Sequence, residues 1–116
     1  AEYLLYYGCK EVVLCERGIT APHTHIETSR FIVDLQVVPA VKEISHLPII
    51  VDPSHSTFHR SFVPHIAFGA CGVGANGIII DVHPTPEKAV VDPLNALTYE
   101  NFSVLSEKLK KVKEVI

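Results

Sequence analysis

The sequence predicts an α/β fold with a parallel sheet. Three short apolar runs start near residues 11, 49 and 78, and segments with a helical pattern separate them. Connections that lead from a strand through a helix to the next strand are right-handed crossovers, which make successive strands parallel. Each run also ends in charged, hydroxyl or imidazole side chains, and α/β proteins bind ligands beyond the carboxyl ends of their strands. The 116 residues amount to one domain at most.

Composition argues against several classes of protein. Ten basic and thirteen acidic residues give a net charge of -3, so no general attraction to nucleic acid or to an anionic membrane is expected. The longest apolar runs fall far short of the roughly 18 residues of a membrane-spanning helix. Cys9, Cys15 and Cys71 lack CxxC spacing, which argues against a disulfide framework and predicts a cytoplasmic location. Cys15 lies in an apolar run and is expected in the core.

A short helix and the first strand occupy the start of the chain. Residues 1–7 have the composition of a helix end, and Gly8 stands where glycine commonly ends a helix. The run EVVLC at 11–15 predicts the first strand, which Glu16 and Arg17 follow directly. The guanidinium of Arg17 is always charged and precedes a glycine, so the end of this strand suits a phosphate or a carboxylate.

A polar loop and a helix connect the first two strands. The loop at 19–29 contains His23 and His25, whose spacing is compatible with metal binding but occurs more often in a solvated loop. Pro39 then begins a helix that extends to about Ser45, because proline is favoured in the first helical turn.

The second strand, Ile49–Asp52, is the most informative stretch. Its β-branched residues are bounded by prolines, which predicts a strand buried on both faces. Asp52, Ser54 and His55 place a carboxylate, a hydroxyl and an imidazole where the strand ends. These residues indicate a ligand site, or alternatively a turn in which Asp52 and Ser54 cap backbone amides. A loop is expected from there to Arg60.

A helix, the third strand and a last helix complete the pattern. Residues 61–74 predict a helix, and residues 78–82 predict the third strand, near whose end Asp81 lies. A proline-rich loop containing Asp92 leads to a helix from Thr98, a favourable N-cap, to about Val115. The expected apolar faces are Phe62, Ile66, Phe68 and Val73 on the former helix, and Phe102, Leu105, Leu109 and Val112 on the latter.

The polar residues that follow the strands are expected to meet at one edge of the sheet. His55, Asp81 and Asp92 form a mixed set of imidazole and carboxylates that suits a divalent ion such as manganese, iron, cobalt or zinc. Arg17 is a candidate for binding an anion, and Arg60 offers the same chemistry from the second loop. Each of these residues, taken singly, is more often a cap or a satisfied polar group, so their convergence carries the prediction.

Two architectures accommodate three parallel βα units. One is an open, flavodoxin-like sheet. The other is a (β/α)₈ barrel, which needs roughly 250 residues, so that three units would form only a part of it. The pattern of strands and helices alone is compatible with both, and the choice between them depends on longer motifs.

Three such motifs resemble a known family. They are VVLCERG at 12–18, SHLPIIVDPSH at 45–55 and DVHPTPEKA at 81–89. Together they resemble 3-deoxy-D-arabino-heptulosonate 7-phosphate (DAHP) synthase, and most closely its short type Iβ branch. The resemblance covers nearly the whole chain in the right order. It implies that residues 1–116 form the C-terminal half of a (β/α)₈ catalytic barrel, namely strands 6 to 8 with their helices.

The resemblance also implies an activity and a set of site residues. The family condenses phosphoenolpyruvate with erythrose 4-phosphate to give DAHP and phosphate, the first step of the shikimate pathway to aromatic amino acids. The implied metal ligands are His55, Asp81 and Asp92. The implied substrate-binding residues are Arg17, Glu16 and Arg60, with Arg17 and His55 as catalytic residues. The family's cysteine ligand and a further substrate-binding lysine lie in the N-terminal half of the barrel, which is therefore an implied partner on the same or a separate chain. A homo-oligomer is also expected.

Departures from the family pattern keep two alternatives open. Asp81 stands where the family normally has glutamate, the loop at 19–27 is longer than usual, and the loop after His55 retains Arg60 but not a second arginine. These departures motivate a noncatalytic metal- or phosphate-binding or regulatory relative as one alternative. A 3-deoxy-octulosonate 8-phosphate synthase-like enzyme is the other, although the DPSH form of the motif at 52–55 favours the heptulosonate enzyme.

Overall fold

A computed structural model describes residues 1–21 and 31–116 of the chain. The histidines His23 and His25, considered above as metal ligands, lie outside the described residues. The elements in chain order are α1 (Glu2–Tyr6), β1 (Leu14–Glu16), α2 (Val37–Ile44), β2 (Ile49–Val51), α3 (Pro53–Thr57), α4 (Val63–Gly72), β3 (Gly77–Ile78), a 3₁₀ turn (Pro86–Lys88) and α5 (Tyr99–Lys113). No helix within these two ranges is long and apolar enough to cross a membrane.

The three strands form one parallel sheet in the order β1-β2-β3. Glu16 pairs with Val51, and Val51 pairs with Ile78, so the carboxyl ends of the strands are aligned. The residues that follow each strand therefore leave the sheet at the same edge. This arrangement confirms the predicted α/β fold with neighbouring strands in sequence order.

The segment after β2 is a helix, which corrects the prediction of a loop as far as Arg60. Asp52 has extended backbone dihedrals and its side chain caps α3, while Pro53 occupies the first helical position. Both residues are favoured at these positions because a cap satisfies a free backbone N–H and proline has none to satisfy. Phe58 ends the helix in a left-handed conformation.

The third strand is shorter than the predicted 78–82. Only Gly77 and Ile78 belong to the ladder with β2, and Val82 instead forms an isolated parallel bridge with Leu97. The backbone N–H of Leu97 donates to Asp81 O at 2.9 Å, and that of His83 donates to Leu97 O at 2.9 Å. The chain beyond β3 is thus paired with the segment that precedes α5.

The core lies between the sheet and its helices. One buried cluster consists of Val38, Ile49, Val51 and Ala70, and a second consists of Val63, Ala67, Leu97 and Leu105. The fully buried residues of α4 are Val63, Ala67 and Ala70. Three residues of the predicted apolar face are partly buried and pack against these clusters, namely Ile66, Phe68 and Val73, whereas Phe62 is 42% exposed. Small side chains are buried most completely here because they let the helix backbone pack close to the strands and to α5.

The opposite face of the sheet is exposed. Cys15 is exposed, which corrects the expectation of a core residue. Side chains alternate along a strand, so Leu14 packs on the core and Cys15 points to the other face. Ile50, next to Cys15 in the ladder, is only partly buried, and Ile79 is 50% exposed. The prediction that the second strand is buried on both faces is therefore wrong for this face.

Candidate metal centre

Asp52 organises the end of β2. Its side chain is buried, and its Oδ1 accepts a hydrogen bond from the backbone N–H of His55 at 3.0 Å, which begins α3. Its Oδ2 lies 2.7 Å from Nδ1 of His55. The sequence offered a capped turn and a ligand site as alternatives, and Asp52 combines them because one carboxylate both caps the helix and contacts the imidazole.

His55, Asp81 and Asp92 converge in front of this end of the sheet. Nε2 of His55 lies 3.3 Å from Oδ2 of Asp81 and 3.5 Å from Oδ2 of Asp92. One potential ligand atom from each residue lies within 4.8 Å of the others. The aspartate at position 81 reaches the cluster although its side chain is one methylene shorter than glutamate. The structure therefore brings together the three residues predicted as metal ligands.

The separations within this cluster suit a shared ion. Ligands about 2.1 Å from an ion and about 90–109° apart lie about 3.0–3.4 Å from one another. The distances of 3.3 and 3.5 Å from His55 to the two aspartates are close to that range. The Asp52 carboxylate on Nδ1 is also the kind of partner that orients metal-binding histidines and leaves Nε2 for the ion. The residues present thus fit a divalent metal.

Asp92 reaches the cluster through an unusual backbone conformation. Its φ is 48°, in the left-handed region, which aspartate adopts more readily than most residues. Its carbonyl accepts from the backbone N–H of Asn95 at 3.3 Å, so the chain turns directly after it. This turn places the side chain of Asp92 beside His55 and leads the chain on toward α5.

Arg17 and Glu16 lie at the end of β1 and have different partners. Nε of Arg17 lies 3.9 Å from Oδ2 of Asp52, and 49% of the Arg17 side chain is exposed. The guanidinium therefore stands next to the cluster with surface available to an anion. Oε1 of Glu16 accepts from the backbone N–H groups of Gly18 at 2.9 Å and Asp34 at 3.1 Å. Glu16 thus shapes the backbone around Arg17, and its predicted contact with substrate stays a prediction.

Arg60 is bound to the loop that carries Asp92. Its Nε donates to Ala96 O at 2.7 Å, and its Nη2 donates to Pro93 O at 2.8 Å. Its Nη1 donates to Oε1 of Glu87 at 2.9 Å, and hydrogen bonds to its own backbone and to Arg60 lower the pKa of Glu87. These contacts hold the loop in place, and the predicted role of Arg60 in substrate binding stays a prediction.

Asn95 was missed by sequence reasoning. Its side chain is wholly buried, and its Nδ2 donates to Ser54 O at 3.0 Å and lies 3.5 Å from Oδ2 of Asp81. The signal for it is weak, since Asn95 is a single polar residue in the short apolar run PLNAL before the last helix. The hydroxyl of Ser54 accepts from the backbone N–H of Asp81 at 3.0 Å, so Ser54 too contacts Asp81.

Known sequences similar to this chain point to one family. The sequence profile of the DAHP synthetase I family matches residues 1–116. The phospho-2-dehydro-3-deoxyheptonate aldolase of Thermotoga maritima is 42% identical over 116 residues, which are 100% of this chain and 33% of that protein. The 2-dehydro-3-deoxyphosphooctonate aldolase of Geobacter sulfurreducens is 27% identical over 124 residues, covering 97% of this chain and 43% of that protein. The chain thus spans between a third and a half of the length of these relatives.

Solved structures agree with the sequence comparison. The crystal structure of the Thermotoga maritima DAHP synthase matches with a TM-score of 0.89 at 42% identity, over 98% of this chain and 33% of that one. A truncated form of the Thermotoga maritima enzyme matches with a TM-score of 0.91 at 41% identity, over 98% of this chain and 42% of that one. The three motifs, the parallel sheet and the match along the whole sequence agree, and the chain belongs to the DAHP synthetase I family.

Proposed function

We propose that this chain supplies the metal- and anion-binding part of a DAHP synthase and corresponds to the C-terminal half of its (β/α)₈ barrel. The observation that carries the proposal is the convergence of His55, Asp81 and Asp92 at the carboxyl ends of parallel strands. Active sites of such barrels lie at this face. The remaining strands would come from the rest of the barrel, on the same polypeptide or on a second chain.

His55, Asp81 and Asp92 would hold a divalent ion, together with a ligand from the other part of the barrel. The bound ion would supply Lewis-acid polarisation of the aldehyde oxygen of erythrose 4-phosphate. Asp52 keeps Nδ1 of His55 occupied, so that Nε2 faces the two aspartates. The protein thereby presents one nitrogen and two oxygens in a fixed arrangement.

Arg17 would bind the phosphate or the carboxylate of phosphoenolpyruvate. A guanidinium binds such groups through two parallel hydrogen bonds, which fix orientation as well as position. Its neighbour Asp52 and the Glu16 contacts to the loop backbone restrict where this guanidinium can lie. The bound substrate would then direct its C3 toward the aldehyde carbon. C3 would bond to the aldehyde carbon, water would add at C2, and cleavage of the bond between C2 and the phosphate oxygen would release phosphate.

The identity values favour the heptulosonate reaction over the octulosonate one. The heptonate aldolase of Thermotoga maritima is 42% identical, and the octonate aldolase of Geobacter sulfurreducens is 27% identical. The named products have seven and eight carbons, and phosphoenolpyruvate supplies three of them, so the aldehyde is a four-carbon sugar phosphate in the first reaction and a five-carbon one in the second. Both aldehydes therefore belong in the test.

The test measures phosphate release by the complete protein with phosphoenolpyruvate, each aldehyde and Mn²⁺. We expect turnover with erythrose 4-phosphate, loss of turnover on chelation and recovery when Mn²⁺ is restored. His55→Ala should lose both Mn²⁺ binding and turnover, whereas the matched change His65→Ala, at an exposed histidine on α4, should lose neither. Binding of Mn²⁺ and phosphoenolpyruvate without phosphate release would instead support a noncatalytic relative.

A further inference from the structure

We infer that Asn95 is a positioning residue that holds the Asp81 carboxylate in its metal-binding orientation and thereby sets the metal affinity of the site. The inference rests on the proposed function, because it concerns how the proposed ligands are held. The buried side chain of Asn95 contacts the proposed ligand Asp81 but is not itself a proposed metal ligand.

Asn95 contacts all three ligand-bearing segments. Its Nδ2 donates to the carbonyl of Ser54, the residue before His55, at 3.0 Å. The same nitrogen lies 3.5 Å from Oδ2 of Asp81, and the backbone N–H of Asn95 donates to Asp92 O at 3.3 Å. A side-chain change at this residue therefore acts directly on the segments of His55 and Asp81, while the backbone contact with Asp92 is kept.

The backbone of Asp81 is held independently of Asn95. Its N–H donates to the hydroxyl of Ser54 at 3.0 Å, and its carbonyl accepts from Leu97 N–H at 2.9 Å. Its side chain is 37% exposed, so the orientation of its carboxylate depends on side-chain contacts. Nε2 of His55 and Nδ2 of Asn95 both lie near Oδ2 of Asp81. Since Nε2 would bind the ion, Nδ2 of Asn95 is the donor among the described residues that would still contact this carboxylate when the ion is bound.

The orientation of the Asn95 amide follows from its neighbours. Ser54 O and the Asp81 carboxylate are both acceptors, so the NH₂ group must face them. The other end, Oδ1, is buried and has no hydrogen-bond partner within residues 1–21 and 31–116. Ser54 O also accepts from Phe58 N–H at 3.1 Å and does not depend on Asn95. A buried oxygen without a hydrogen-bond partner lowers the stability of the folded protein. The contact of the same amide with Asp81 explains why an asparagine occupies this position.

The test compares Co²⁺ binding by the complete protein and by its Asn95→Leu variant, followed by the visible absorption of the ion. Leucine has the branched shape of asparagine and removes both Nδ2 and the unpaired oxygen; its methyl groups are larger, so it leaves no cavity but crowds the buried position. We expect affinity to fall about 10-fold or more, as for other residues that orient metal ligands, and the Co²⁺ spectrum to change. Asn76→Ala is the matched control, because Oδ1 of Asn76 accepts from Ile49 N–H at 3.0 Å at the other end of β2. It should leave Co²⁺ affinity unchanged.

A double-mutant comparison separates positioning from a general structural role. If Asn95 acts through Asp81, Asn95→Leu in an Asp81→Ala background should change Co²⁺ affinity less than about twofold. The full loss in that background, or parental affinity in a folded Asn95→Leu protein, would overturn the inference. If Asn95→Leu does not fold, Asn95→Ser takes its place with the same two expected results. Unchanged Co²⁺ affinity in both His55→Ala and Asp81→Ala would instead refute the proposed metal site.

Discussion

The carboxylate of Asp52 contacts His55 through both of its oxygens, Oδ1 at 3.0 Å from the backbone nitrogen and Oδ2 at 2.7 Å from Nδ1. The first contact begins α3, and the second orients the imidazole. The start of the helix and the direction of Nε2 therefore depend on one side chain. Because Oδ2 also lies 3.9 Å from Nε of Arg17, the same carboxylate connects a proposed metal ligand with a proposed anion-binding residue.

Asp52→Ala should lower both stability and metal affinity. Loss of the cap should cost about 0.5–2 kcal/mol of unfolding free energy, and loss of the partner on Nδ1 should weaken Mn²⁺ binding about 10- to 100-fold. Denaturant unfolding and Mn²⁺ titration of the complete protein measure the two effects. Thr98→Ala is a matched control, since Oγ1 of Thr98 accepts from Asn101 N–H at 3.1 Å and caps α5. It should lower stability alone, and parental Mn²⁺ affinity in Asp52→Ala would contradict the orienting role.

Gly18→Ala should destabilise the protein more than Gly8→Ala. Both glycines have positive φ, 104° at Gly18 and 91° at Gly8, which costs a non-glycine residue about 1–2 kcal/mol. A Cβ at position 18 would also lie 2.6 Å from Cβ of Phe31, whereas one at position 8 would have no neighbour within 4 Å. We expect the crowding to add about 1–3 kcal/mol at position 18. Denaturant unfolding gives the difference, and equal losses would show that the loop beside Arg17 adapts.

Arg60→Lys should loosen the loop that carries Asp92. A lysine cannot reproduce the three contacts of the guanidinium with Ala96 O, Pro93 O and Glu87. We expect about 2 kcal/mol of lost unfolding free energy and weaker Mn²⁺ binding, measured on the complete protein. Glu87→Gln retains both carbonyl contacts and should lower stability less than Arg60→Lys does, because an exposed ion pair contributes little. A rise in the KM for a phosphorylated substrate, with parental stability and Mn²⁺ affinity, would instead favour the predicted substrate contact.

Cys15 should react slowly with iodoacetamide in the folded protein. Although Cys15 is exposed as a residue, partial desolvation of its thiol raises the pKa of that group, and the negative charges of Asp52 and Glu16 raise the pKa further. The thiolate is the reactive form, so labelling between about pH 7 and 9 should be slower than in the unfolded protein, by a factor that shrinks as pH rises. In the complete barrel the sheet face that bears Cys15 would be covered. Labelling of Cys15 should then stay slower than in the unfolded protein even at a pH where the thiol is fully ionised in both. Mass spectrometry of the Cys15 peptide checks this, and equally fast labelling of folded and unfolded protein would argue against a covered face.

The positions of the strands and of the three proposed ligands could be predicted from the sequence. β2 is a β-branched run between prolines, and parallel strands align their carboxyl ends, so the meeting of His55 and Asp81 follows from topology. Asp92 lies in the loop beyond the third strand, and its place in the site was predicted from that position and from its residue type, with support from the family resemblance. Its approach depends on a left-handed residue, which no periodic pattern reveals.

Other features depend on contacts between distant segments and could not be predicted. The burial of Asn95 results from the pairing of Leu97 with Asp81 and His83, which lie 14 to 16 residues away in the chain. α3 has only five residues, too few for a helical period to be recognised, and its start depends on the single cap residue Asp52. The exposure of Cys15 likewise depends on which of two strand faces is packed by helices, since an apolar run alone does not distinguish them.

The left-handed backbone of Asp92 restricts which residue can occupy that position. Among the two carboxylate side chains, aspartate tolerates φ near 48° because its short polar group can interact with the adjacent backbone, and glutamate lacks that advantage. Asparagine would keep the chain reversal but has no negative charge for a cation. Position 92 therefore needs both a negative charge for the cation and a residue that tolerates the left-handed backbone of the turn. Aspartate meets both needs, whereas asparagine loses the charge and glutamate is less compatible with the turn.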